Sequence, residues 1–222
     1  MSTSTKQRTA FEKEIFARLG PQLKGTGWKK RQCALFMQEG DYYQDVFVSV
    51  HRNATLTRAE LRIKPMSLDP ILWDILDIPE NLDEALSFRT WGAFTCPGLP
   101  ILEEQIEQPG SSAQEVGAAL VSLCKDSRDL FRERLASTTY SELVENHPNQ
   151  VARGAYAITL VASLINDHNY SRARQVANSY ATGELSSCAE ISSYGKSFHH
   201  LAVEWLDAGM HSRSALHAAT RV

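Results

Sequence analysis

From Tyr42 to His51 the chain alternates, with Val46, Val48 and Val50 on one face and Tyr43, Asp45, Phe47 and Ser49 on the other. A period of two is the repeat of a strand with one face in a core, and no helix can bury such a stripe on one side. This run constrains the chain more than any other. Thr55 to Lys64 alternates again, Leu61 and Ile63 against Glu60, Arg62 and Lys64. Trp28 to Met37 is rich in residues suited to strands. Glu39-Gly40-Asp41 and Arg52-Asn53-Ala54 have turn composition. A three-stranded antiparallel meander is therefore expected. A meander needs cover on its apolar face. Phe11, Ile15, Phe16, Leu19 and Leu23 recur at helical spacing and supply it, in a helix expected from an N-cap at Thr9 to about Lys24, with Pro21 near its end.

After Pro65 the period changes. Leu68 to Leu76 is expected as a short helix with Asp69 as N-cap and Pro70 in the first turn. Ser87 to Phe94, bearing Phe88, Trp91 and Phe94, is expected as a fourth strand. Cys96-Pro97-Gly98-Leu99-Pro100 is expected as a loop, and Pro109-Gly110-Ser111-Ser112 as the main break. Beyond it everything has a helical pattern. Ser112 and Glu115 form a capping box for a long helix ending near Ala136. Further helices are expected over 149–165, 171–181 and 194–208, with Gly209 as a stop. The fold class is α+β: an N-terminal helix packed on an antiparallel meander, then a C-terminal helical region. The domains expected are residues 1–108 and 109–222.

Charge is unevenly distributed. The chain of 222 residues carries a formal net charge of −3. Residues 1–66 hold +6, residues 67–147 hold −10 and residues 148–222 hold +1. Within 67–107 nine carboxylates face a single base, Arg89. Such a segment suits a basic protein partner, which it steers by long-range attraction. The partner-binding residues expected are Asp77, Asp83, Glu84, Glu103 and Glu104, with Trp73 and Trp91 as apolar anchors.

Catalytic and cofactor signatures are weak. Gly195-Lys196-Ser197 matches the tail of a phosphate-binding loop, but Glu190 stands where its first glycine belongs. No histidine pair has metal-ligand spacing. His199 and His200 point to different helix faces, one expected inward and one wet. The four cysteines are widely spaced, with neither a zinc pattern nor a disulfide framework. No cofactor and no metal are expected. Trp28 with Lys29, Lys30 and Arg31 has the composition of an RNA-binding sheet, yet the pI of about 6.2 favours a charged strand edge, and nucleic acid is not expected as a partner. No run is long enough to span a bilayer and residues 1–9 have no signal-peptide character. A cytoplasmic protein without membrane contact is expected. The helices flanking residues 166–170 have some features of one tetratricopeptide-like hairpin, without its Trp and Leu-Gly spacing.

Pro21, Leu23, Lys24, Gly27, Trp28, Lys29 and Lys30 follow a P-x-L-K-x-x-G-[FW]-K-[KR] pattern after an amphipathic helix and before the meander. Over about residues 9–76 the chain thereby resembles a family of uncharacterised bacterial domains. It departs from the pattern at Gln32-Cys33-Ala34, where a glycine and an aromatic pair are more usual. Some members are encoded near toxin systems. The resemblance implies a non-catalytic immunity protein that occludes a toxin, and it carries over no catalytic residue. The alternatives on sequence are a regulatory or housekeeping adaptor with a helical peptide-binding face, or an enzyme with a site assembled from scattered residues.

Overall fold

The computed structural model describes residues 3–51, 56–107 and 112–219. In chain order the elements are α1 (Thr3–Gln22), β1 (Lys29–Arg31), β2 (Ala34–Glu39), β3 (Tyr42–Val50), β4 (Leu56–Pro65), α2 (Leu68–Leu76), a 3-10 turn (Pro79–Asp83), α3 (Phe88–Trp91), β5 (Leu99–Glu107), α4 (Ala113–Leu135), α5 (Tyr140–Glu145), α6 (Pro148–Arg153), α7 (Ala157–Asn166), α8 (Tyr170–Ala181), β6 (Ser192–Ser193), β7 (Lys196–Ser197) and α9 (Phe198–Ala219). The fold is α+β, an N-terminal helix and an antiparallel sheet followed by helices. The chain divides into two interleaved compact units, residues 1–65 with 98–138, and residues 66–97 with 139–222. This differs from a division at residue 108. Residues 66–97 leave the sheet after β4 to join the later helices, and β5 returns to β4.

Unit 1 is a five-stranded sheet in the order β1-β2-β3-β4-β5, every neighbouring pair antiparallel. The valine face is the core face. Val46, Val48 and Val50 share a cluster with Ile15, Phe16 and Leu19 of α1 and Val116, Leu120 and Leu123 of α4, and Phe11 packs at its margin. Each fully buried aliphatic side chain of this kind contributes about 1.5–3 kcal/mol by leaving water. Trp28 seals one end, donating from Nε1 to the Cys124 carbonyl at 3.0 Å. The outer face carries the ion pair of Asp45 with Arg62, whose Nε and Nη2 donate to the two carboxylate oxygens at 2.6 and 2.9 Å.

Several expectations for unit 1 are corrected. Thr9 is inside α1 rather than at its N-cap; its hydroxyl donates to the Thr5 carbonyl at 3.0 Å, the back-bond that lets threonine sit within a helix. Trp28 to Met37 is a hairpin, not one strand, turning where Gln32 has φ +51°. The 99–107 segment is a strand despite Pro100. At the sheet edge, beside a register shift opposite Leu61 and Arg62, a missing N–H breaks no ladder bond. The expected turn at Arg52-Asn53-Ala54 and the Pro109-Gly110-Ser111 break lie outside the described residues. The capping box of Ser112 and Glu115 is formed.

Unit 2 is helical and more broken than its periodicity predicts. Its core holds Leu68, Leu72 and Leu76 of α2, Leu160, Val161 and Leu164 of α7, Ala173 and Ala177 of α8, and Phe198 and Ala202 of α9. Ser87 to Phe94 is not a strand: Phe88, Trp91 and Phe94 are three residues apart, a helical spacing, and α3 forms there. Asp69 does not cap α2. Ser67 holds the N-cap position, and the Asp69 carboxylate, fully buried, accepts from the Cys96 N–H at 2.8 Å and Arg89 at 2.9 Å. The expected helix over 149–165 breaks at Gly154, whose φ is +61°. A side chain there would collide with the Ser186 carbonyl oxygen. Gly209 does not stop α9, which runs on to Ala219.

Candidate partner-binding surface

The acidic run that ends α2 is arranged around a helix C-terminus. Asp77 closes the helix in the left-handed conformation, φ +56°, its N–H reaching the Asp74 carbonyl while Ile78 N–H reaches that of Trp73. The next residues wind into the 3-10 turn. Asp74, Asp77, Glu80, Asp83 and Glu84 are all exposed. Asp74 accepts from Trp205 Nε1 at 2.7 Å; among the described residues the other four carboxylates form no ion pair. α2 has no base in its last turn. Carboxylates beside the partial negative charge of a helix C-terminus are unfavourable by a few tenths of a kcal/mol or more each. Leu82 stands 59% exposed among them.

The hairpin β6–β7 adjoins this end of α2. Ser193 donates from its hydroxyl to the Leu76 carbonyl at 3.3 Å. At the hairpin tip Tyr194 has φ +51° and Gly195 φ +75°, the two left-handed positions of a type I′ turn. Glycine or asparagine suits the first; a bulky side chain is strained there, at a cost on the order of 1 kcal/mol. The Tyr194 side chain is 80% exposed, so little burial offsets that cost. The hairpin leads directly into α9, where Phe198 N–H donates to the Ile191 carbonyl at 2.7 Å.

The residues expected from sequence are not all brought together. Asp77, Asp83 and Glu84 stand on this surface. Trp73 does not: it is 2% exposed, with Nε1 donating to the Phe94 carbonyl at 2.6 Å, and belongs to the core. Trp91 is half-buried in α3. Glu103 and Glu104 lie on β5, in unit 1. The exposed apolar groups are instead Leu82 and Tyr194. The helix expected over 194–208 begins instead at Phe198, and Tyr194 stands in the hairpin before it. The Tyr-Gly pair between short polar stretches was the available hairpin signal.

Other candidate chemistry has structural partners. Lys196 of the incomplete phosphate-loop pattern pairs with Glu204 at 2.6 and 2.9 Å. His199 is 3% exposed and stacks on Tyr180 at 4.7 Å between ring centroids. Burial, with a smaller contribution from His200, lowers its pKa from 6.5 to about 4. His200 is exposed, within 2.8 Å of the Ser197 hydroxyl. Burial raises the Cys124 thiol to about 12, far from a reactive thiolate. Among the described residues no three His, Cys, Asp or Glu side chains are grouped to hold a metal ion, and no helix is long and apolar enough to cross a membrane. A groove of about 780 Å³ beside α8 is lined by polar side chains and bridged by Arg174 and Asp207, unlike an apolar peptide-binding face. Comparison with protein-family models, curated proteins and solved structures finds no match to this chain.

Proposed function

We propose that the chain is a non-catalytic, cytoplasmic protein-binding protein that neutralises a basic partner, most concretely an immunity protein that occludes a toxin domain. The observation that carries the reading is Tyr194, exposed and strained at the tip of a hairpin that bonds to the C-terminal end of α2 through Ser193, where the following run carries four exposed carboxylates with no ion pair among the described residues. Natural hairpins rarely place a tyrosine there for stability, whereas exposed aromatic groups are effective interface anchors. The carboxylates at the α2 C-terminus gain from a cationic neighbour, and their field accelerates encounter with one. The resemblance of residues 9–76 to domains encoded near toxins supports the choice of partner class.

The test is capture from source cells with wild type and with Tyr194→Asn as paired baits, followed by reconstitution of the captured protein from purified components. The reading expects a basic protein retained by wild type, lost or weakened at least tenfold by Tyr194→Asn, and inactive while bound. A partner that both baits hold equally, or one that remains fully active in the complex, contradicts it.

A further inference from the structure

The sheet of unit 1 ends in two unlike edges. β1 is three exposed residues, Lys29-Lys30-Arg31, short and charged as sheet edges usually are. β5 is nine residues long, and among the described residues its outer side pairs with no strand. Pro100 and the register shift blunt only its first third. From Leu102 to Ile106 the register with Leu61 to Thr57 is unbroken, so one side of β5 is fully paired while, among the described residues, no strand takes the other, the side to which a further strand adds.

Its side chains indicate what such a strand must carry. Glu103 stands directly opposite Glu60 on β4, a like-charge pair at the position where opposite charges stabilise. Burial raises the Glu60 carboxyl above its ordinary value against the pull of Arg62, and Glu103 adds to the rise. Arg58 reaches Glu103 at 3.2 Å, but Arg62 is committed to Asp45 and remains 3.9 Å from Glu60. Glu104 follows on the other face, and Leu102 is 36% exposed. Carboxylates therefore exceed cations along this edge.

We propose that the β5 edge receives an extended, lysine- or arginine-bearing segment of a partner protein as a sixth strand, with one cation against Glu103 and the next against Glu104. A second copy of β5 does not serve, because antiparallel self-pairing about this stretch sets glutamates near glutamates. This site is in unit 1 and does not depend on the surface around Tyr194.

Two end-blocked peptides test it, Thr-Val-Thr-Lys-Lys-Val-Thr and the same sequence with Glu-Glu at the centre, with amide hydrogen exchange of the full chain followed by NMR. The lysine peptide at millimolar concentration should slow exchange at β5 amides between residues 102 and 106 at least fivefold, and the glutamate peptide should not. In Glu103→Lys/Glu104→Lys the preference should reverse, with the fold confirmed by unchanged exchange at β3. No slowing by either peptide, equal slowing by both, or slowing by the lysine peptide that persists in the double variant overturns the proposal. So does concentration-dependent self-association through β5 in the peptide-free protein.

Discussion

The two units place left-handed backbone on different residues. Among the described residues of unit 1 it falls on Gly25, Gly27, Gly40 and Gln32. In unit 2 it falls on Gly154, Gly183 and Gly195, but also on Asp77, Phe94, His168 and Tyr194. Each non-glycine residue there costs conformational energy that a glycine would not. The sheet unit is built as a stability-optimised core. The helical unit keeps strain at several turns, and two of those turns, at Asp77 and Tyr194, frame the candidate surface. Strain concentrated in unit 2 and adjacent to charge without ion pairs locates function better than either observation alone.

Each unit has a buried aspartate–arginine pair, and these give the largest expected effects. Asp69 is 0% exposed and satisfies both Arg89 and the Cys96 N–H. Asp69→Ala should cost about 3–5 kcal/mol in chemical denaturation, because it strands a buried cation and a buried donor. Asp45→Ala should cost less, since the partner Arg62 retains 21% side-chain exposure and Glu60 as a second carboxylate. The reverse order would mean that the ion pair of unit 1 is the more tightly sealed, against the burial described.

Acid should distinguish the units next. His199 of unit 2 is held neutral, its folded pKa of about 4 lying below the ordinary 6.5. The unfolded chain binds a proton in that interval and the folded one does not. Stability from this group is therefore present above about pH 6.5, falls as pH is lowered, and is lost below about pH 4, by on the order of 3 kcal/mol. His199→Phe should flatten that part of the pH dependence measured by denaturant titration. An unchanged profile would mean that another group causes any acid lability.

A smaller effect probes the valine strand. Val48→Ala should cost about 1–3 kcal/mol by opening a cavity under α1 and α4. An unchanged denaturation midpoint would show that the valine face is not in the core. The smallest effect has the opposite sign. Tyr194→Asn should stabilise the protein by a few tenths of a kcal/mol to about 1 kcal/mol, since asparagine tolerates the left-handed turn, while weakening partner binding. A gain in stability with a loss of binding is the signature of strain kept for function; a loss of both would place Tyr194 in the folding of the hairpin.

Strand alternation and the long stripe of α4 were legible in sequence because one core imposes one period on each. Val46, Val48 and Val50 could face only one way, and the capping box at Ser112 and Glu115 marked where α4 begins. β5 was hidden by Pro100, whose tolerance depends on an edge and a bulge that only the pairing of β4 reveals. α6 and α7 were read as one helix because nothing local marks the break at Gly154, where the close approach of Ser186, distant in sequence, leaves no room for a side chain. The candidate surface was half legible. Its charges were visible as a segment. The tryptophans were not distinguishable from anchors until Trp73 proved to be a core residue, and the hairpin bearing Tyr194 meets the end of α2 through a bond from Ser193 to Leu76 that links residues 117 positions apart.

The central claim is that the carboxylates around the α2 C-terminus bind a basic partner. Stopped-flow association of the captured partner with wild type and with Asp77→Lys/Asp83→Lys/Glu84→Lys, over 50–500 mM salt as the chosen range, tests it most directly. All three positions are exposed, so the variant should fold, with a melting temperature within a few degrees of wild type. The account predicts association at least about tenfold slower for the variant at low salt, with the two rates converging as screening shortens the range of the field. Rates that are equal for the two proteins and independent of salt would contradict it.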